Sequence, residues 1–228
     1  MTKKTAVRAG VCFTAAGAVL LLAALLLLCR NRSEDAFAGR QAERTVTGIR
    51  EILAARPDVP EENRPASVPT ETPEPELPTV ILDGYGYIGY LEIPALSLTL
   101  PVMSEWDYDR LKIAPCRQFG SPRTDDLVIA AHNYRSHFGH LQELTVGDSV
   151  RFTDTDGLAA GYTVIDIRIL PPTELGTVQN SGFDLVLYTC TSGGRHRIAV
   201  FCARDNALSP SANRHRAIHR LCGTGLKM

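Results

Sequence analysis

The chain has 228 residues and a formal net charge of −1. So even a balance excludes a bulk polyelectrolyte and gives no general electrostatic case for nucleic acid. Apolar residues make up 44% of the chain, an ordinary share for a globular protein, but they are unevenly spread.

The N-terminus carries a dense apolar block, Ala9 to Cys29, which reads "AGVCFTAAGAVLLLAALLLLC" and contains no charge. Its length suits a bilayer-spanning helix of ~20 residues. Lys3, Lys4 and Arg8 precede it, while Arg30 and Arg32 after it are partly offset by Glu34 and Asp35. That balance places the N-terminus inside and the rest outside. A cleaved signal peptide is the alternative, with Ala36-Phe37-Ala38 as a small-residue cleavage site. The apolar run is longer than a signal core and ends well before that site, which favours a retained anchor. Cys29 follows four leucines and is an ordinary membrane residue rather than a lipid-attachment site.

Ser33 to Arg56 has a thin helical face of Phe37, Val46, Ile49, Ile52 and Leu53, expected as a juxtamembrane spacer helix. Pro57 to Pro78 follows with seven prolines and with Glu61, Glu62, Glu71, Glu74 and Glu76. Such a stretch cannot bury enough apolar surface to fold and reads as a semi-rigid stalk.

Beyond Leu82 about 150 residues remain, enough for one domain with its own core. Strand-like runs succeed one another there: "GYIGYLEIP", "LSLTLPV", "DLVIAAH", "DSVRFTD", "GYTVIDIRIL", "FDLVLYTC" and "RHRIAVFCAR". Val, Ile, Tyr, Phe and Thr dominate them and turn residues bound them, which argues for a closed or nearly closed β-barrel. "WDYDRLKIA" and "FGHLQEL" are the expected short helices. The tail from Ala207 is basic, with Arg214, Arg216, Arg220 and Lys227, and reads as a solvated face. The expected partition is a cytoplasmic N-terminus over 1–8, an anchor over 9–29, a helix and stalk over 30–81, a β-barrel over 82–206 and a basic tail over 207–228.

Chemistry is expected where two apolar strands end in reactive side chains. "DLVLYTC" alternates weakly, as in a strand buried on both faces, and stops at Cys190. "TSGG" makes a turn and "RHRIAVF" returns, which brings Arg197 near Cys190 across the ladder. Leu127 to Ala131 likewise runs into His132. A nearby imidazolium or guanidinium favours a thiolate, so Cys, His and Arg form a set of nucleophile, acid/base and charge stabiliser. The bland alternative makes Cys190 a buried small hydrophobe or half of a disulfide with Cys116, Cys202 or Cys222, in a tethered extracytoplasmic β-barrel binding module. Cys202, inside the returning strand, is expected in the core. A metal site built on His132, His137 and His140 lacks a completing ligand at a recognised spacing. A papain-like hydrolase would place its Cys before its His and at a helix start.

These residues carry a family resemblance. "LYTC" with an Arg on the next strand and "VIAAHN" upstream resembles the sortases, the cysteine transpeptidases of Gram-positive cell surfaces. The family pattern Thr-Leu-x-Thr-Cys reads here Val186-Leu187-Tyr188-Thr189-Cys190, so its end matches literally. Ala131 stands where the family usually has Gly before the His. "YIGYLEIPALSLTLPV" and "LTVGDSVRFTD" resemble the opening and middle strands, and the similarity runs in order from Tyr85 to Arg204.

The resemblance implies a mainly β, closed sortase-like barrel of about eight strands with short helices, behind a membrane tether and stalk. It implies Cys190 as nucleophile, His132 as general acid, Arg197 as oxyanion stabiliser with Arg195 as rival, and Thr189 as a substrate-pocket residue. It implies transpeptidation: cleavage of a C-terminal sorting signal of a secreted protein through a thioacyl-enzyme. The acyl group then passes to a cell-wall peptide or pilin lysine. No cofactor is required; a calcium site is conceivable at Asp154 and Asp156, though a simple turn also accounts for that pair. The expected location is the cell membrane, single-pass, with the catalytic domain outside.

Overall fold

The structure is a computed structural model and describes residues 3–55 and 77–205. Most of the Pro/Glu stalk, the basic tail and Cys222 therefore lie outside the described residues.

Helix α1 (Lys3–Ala54) is continuous. It is long and apolar enough to cross a membrane by length and composition, with a mean hydropathy of 2.6 in its most apolar stretch. Leu20, Leu21, Leu22 and Leu25–Leu28 are all exposed there. The chain divides at Phe37 into two compact units.

Within the second unit, nine strands follow: β1 (Val80–Leu82), β2 (Tyr85–Ile93), β3 (Leu98–Met103), β4 (Cys116–Phe119), β5 (Leu127–Ala130), β6 (Ser149–Asp154), β7 (Ala159–Leu170), β8 (Leu185–Cys190) and β9 (Arg197–Arg204). A five-residue helix, α2 (Leu175–Gln179), precedes β8. The sheet order is β1-β2-β3-β4-β5-β8-β9-β7-β6, and β6 pairs back onto β2. That last pairing closes an eight-stranded barrel, with β1 added on the edge of β2. Closure requires close backbone approach. Gly89 has φ +150°, and a Cβ there would run into the Thr153 carbonyl on β6.

All seven strand-like runs appear as strands, whereas β1 and β4 were not anticipated. The two expected helices shrink to single 3-10 turns, Arg110–Lys112 and Leu141–Glu143. In the first, Asp107 Oδ1 accepts the backbone N–H groups of Asp109 and Arg110, which favours a tight turn over a longer helix.

The barrel interior is filled by Leu91, Ile93, Val102, Ile129, Phe152, Leu187 and Val200 among others. A second cluster of Val128, Ala130, Val186, Tyr188, Ala199 and Phe201 covers the other face of β5, β8 and β9, with Val178 of α2 against it. β8 is thus buried on both faces, which is why its sequence barely alternates. The C-terminal part of α1 also packs on the barrel: Ala38, Ala42, Val46 and Ile49 are buried. Phe37, counted in the expected apolar face, is instead 62% exposed. Arg50 anchors this contact through Glu92 at 2.9 Å and lies over the Tyr90 ring.

Candidate active site

Three adjacent strands decide where the candidate residues meet. β5 and β8 run parallel, with Ala130 level with Tyr188. The pairing continues past the end of β5: Ala131 N–H donates to the Tyr188 carbonyl at 3.2 Å, and Thr189 Oγ1 donates to the Ala131 carbonyl at 2.8 Å. Two positions beyond Ala130 and Tyr188 stand His132 and Cys190, so the register sets them level with each other. β9 runs antiparallel to β8, and Arg197 is the direct Cα partner of Cys190.

Strand alternation then assigns a face. Leu185 and Leu187 point into the barrel core, while Val186 and Tyr188 point into the outer cluster. Cys190 has the parity of Tyr188. Arg197 has that of Ala199 and Phe201. Cys190 and Arg197 therefore share one face at one end of the β8-β9 pair, and His132 stands just past the same end of β5, outside the strand.

A cleft of about 120 Å³ opens on that face, lined by Trp106, Tyr108, Pro172, Tyr188, Cys190 and Arg197 among others. Ala131 also borders it, whereas His132 is one position beyond its lining. Cys190 is a free, half-buried thiol. Among the described residues it is not bridged to Cys116 or Cys202, which are free and buried. Burial, foremost, pushes the Cys116 thiol up to about 12 and the Cys202 thiol also upward, so both stay protonated at neutral pH. Cys202 sits in the barrel core, as its position in the returning strand suggested.

Arg197 is half-buried, and its Nη1 donates to the carbonyls of Gly194 and His196 at 3.1 and 3.2 Å. These bonds hold the guanidinium at the hairpin. Its charge reaches the cleft wall: burial raises the Tyr188 phenol above its ordinary 10.0, with Arg197 pulling it back and Cys190 pushing it further. Arg195 lies in the exposed hairpin loop, since β9 begins only at Arg197. Strand parity therefore does not apply to it. Thr189 borders the cleft but is 2% exposed, and its hydroxyl is spent on the Ala131 carbonyl.

His132 is half-buried and stacks on Tyr134, ring centroids 4.0 Å apart and planes 14° apart. This partner was not anticipated, nor were Trp106 and Tyr108 on the cleft wall. The only signal was the aromatic content of "HNY" and "EWDY" beside the candidate strand ends.

The other two histidines have surroundings of their own. His137 is fully buried, and His140 Nδ1 lies 2.5 Å from Glu143 Oε1. Asp154 Oδ1 accepts the backbone N–H groups of Asp156 and Leu158, and Arg123 lies 3.5 Å from Asp154 and 3.1 Å from Asp156. The pair is thus a turn clasped by an arginine. Among the described residues no group of three His, Cys, Asp or Glu side chains is placed to hold a metal ion.

Comparison with known proteins identifies the family. The family model described as the sortase domain matches residues 91–205, just over half of the chain. No curated protein matches. Among solved structures, sortase C1 from Streptococcus suis is 24% identical, covering 54% of this chain and 75% of that one, with a TM-score of 0.47. Sortase C1 from Streptococcus agalactiae is 26% identical over 55% and 71%, with a TM-score of 0.48. The sortase D5 transpeptidase from Clostridium perfringens is 20% identical over 53% and 79%, also at 0.48. From the span of that family match, which runs from within β2 to the end of β9, the chain belongs to the sortase family and is a cysteine transpeptidase.

Proposed function

We propose that the protein is a membrane-anchored sortase in which Cys190 attacks a backbone carbonyl within a C-terminal sorting signal of a secreted protein. The observation that supports this reading is the pairing of Cys190 with Arg197 beside a cleft, with His132 just past the end of the neighbouring β5 and level with Cys190 by register.

The Cys190 thiolate adds to the scissile carbonyl, and Arg197 stabilises the oxyanion that forms. The tetrahedral species collapses as the C–N bond breaks, and His132, as imidazolium, gives its proton to the leaving amine. A thioacyl-enzyme and a neutral His132 remain. An acceptor amine, from a cell-wall peptide or a pilin lysine, attacks the thioester and passes its proton to His132. A new amide forms and the thiolate leaves. The balance needs no redox partner and no metal. Thr189 supports the site by tying β8 to the residue before His132.

In this reading residues 9–29 cross the membrane once and residues 1–8 are cytoplasmic, as the charges Lys3, Lys4 and Arg8 favour. Residues 30–81 form the helix and stalk, 82–206 the catalytic barrel outside the membrane, and 207–228 a basic tail. The length and exposure of the apolar half of α1 support the anchor.

The test is cleavage of a sorting-signal peptide library by the full-length protein in detergent. Cys190→Ala and His132→Ala are each expected to abolish turnover while the barrel stays folded by circular dichroism. Turnover retained in either variant refutes the assignment.

A further inference from the structure

The loop after β5 does more than connect. It folds back on His132 through its own hydrogen bonds. Phe138 N–H donates to the His132 carbonyl at 3.2 Å, and His137 and Gly139 N–H both donate to the Tyr134 carbonyl, at 3.0 and 2.8 Å. The turn is too tight for a side chain at Gly139, where a Cβ would lie 2.7 Å from the Tyr134 oxygen. Phe138 and His137 are fully buried and fasten the loop to the core. The Tyr134 ring touches two imidazoles: His137, tilted by 55° at 5.6 Å, and His132, stacked at 4.0 Å with the planes nearly parallel.

Rotation about the bond to a histidine ring is broad and weakly restrained by itself. A contact on the ring face restricts that rotation for His132. A proton donor must meet the leaving nitrogen within hydrogen-bond reach and in line. A fixed aromatic face stacked on the imidazole removes most of that rotation at no cost in polar contacts.

We propose that Tyr134 is a positioning residue for catalysis: its ring, fixed by the 134–139 turn, holds the His132 imidazole in the orientation that protonates the leaving amine. This rests on the assignment of His132 as the general acid. Tyr134 acts through His132 and not on substrate, so its loss lowers kcat and spares KM. The hydroxyl is not required, since the stack is ring on ring.

The test uses full-length protein in detergent micelles and the peptide that the parent enzyme selects from a sorting-signal library. Two readouts are taken. In spectra of ¹³C-histidine-labelled protein, the His132 Cε1 proton, assigned by comparison with His132→Ala, is expected to show an upfield ring-current shift. Tyr134→Phe keeps this shift and Tyr134→Leu loses it. In kinetics, Tyr134→Leu lowers kcat by ~10-fold with KM within about twofold, and Tyr134→Phe stays within about twofold of the parent. Parent-like kcat in Tyr134→Leu, an equal loss in Tyr134→Phe, or a ring-current shift that survives Tyr134→Leu overturns the proposal. The two claims fail distinguishably. If His132→Ala turns over at the parent rate, the general-acid assignment falls and this proposal with it. If His132→Ala is dead while Tyr134→Leu is unimpaired, only the positioning role is refuted.

Discussion

Cys190 and Arg197 face each other as direct partners in the antiparallel ladder of β8 and β9, and Arg197 commits one nitrogen, Nη1, to two carbonyls of the intervening hairpin. Those bonds hold the guanidinium at the hairpin, and both residues line the cleft. Arg197→Ala should lower kcat/KM by ~10²-fold, in the range seen for loss of one oxyanion donor. Arg197→Lys should recover little, because a point charge does not reproduce the planar fork. Arg195→Ala, in the exposed loop, should change kcat/KM by less than about threefold. Steady-state kinetics on the three variants decides between the two arginines.

Thr189→Val keeps the shape of a buried side chain and deletes its bond to the Ala131 carbonyl. The orphaned carbonyl should cost about 1–3 kcal/mol, read as a lower urea midpoint. Because Ala131 directly precedes His132, kcat should also fall. A variant with parent stability and parent kcat would show that the Thr189 hydroxyl is not a strut between β5 and β8.

The packing of α1 on the barrel changes what a minimal soluble enzyme must contain. A fragment starting at Leu82 lacks the buried Val46 and Ile49 side chains and most of β1. Their burial alone is worth about 3–6 kcal/mol. A fragment starting at Ser33 should therefore melt well above one starting at Leu82. Equal melting temperatures would mean that this half of α1 contributes nothing to barrel stability.

Cys116 offers a pH test with a definite sign. Burial raises its thiol from the ordinary 9.0 to about 12, so the folded state holds the proton more tightly than the unfolded chain. The associated stability is present in full below pH 9.0, where both states are protonated, and is lost as pH climbs towards about 12. Burial raises the Tyr87, Tyr162 and Tyr188 phenols in the same direction. The melting temperature should fall as pH rises from neutral to about 11, and less steeply in Cys116→Ala. An identical slope in the variant would contradict the burial of this thiol.

The strands of the barrel were legible because their β-branched and aromatic runs are bounded by turn residues. β4 was not: "CRQF" mixes polar and apolar residues, and it is a strand because it sits between β3 and β5. β1, three residues long, exists by pairing with Tyr85–Tyr87. The 107–114 segment resembles a helix in composition, but the Asp107 carboxylate captures two backbone N–H groups and stops it at one turn. Cys190 and His132 could be singled out because each ends an apolar run. Their common level depended on a parallel register that pairs Ala130 with Tyr188, far apart in the chain and spelled out by no local pattern. The stack of Tyr134 on His132 depends on a turn closed by Gly139 and was equally invisible to strand periodicity.

The central claim is that Cys190 carries the acyl group between donor and acceptor. Intact-mass and peptide-mapping spectrometry of the full-length protein, quenched in acid during turnover of a selected sorting-signal peptide, tests it most directly. A thioester adduct of the cleaved acyl fragment is expected on the peptide containing Cys190, discharged by added amine and missing from Cys190→Ala. An adduct on Cys116 or Cys202, or continued turnover by Cys190→Ala, would contradict it.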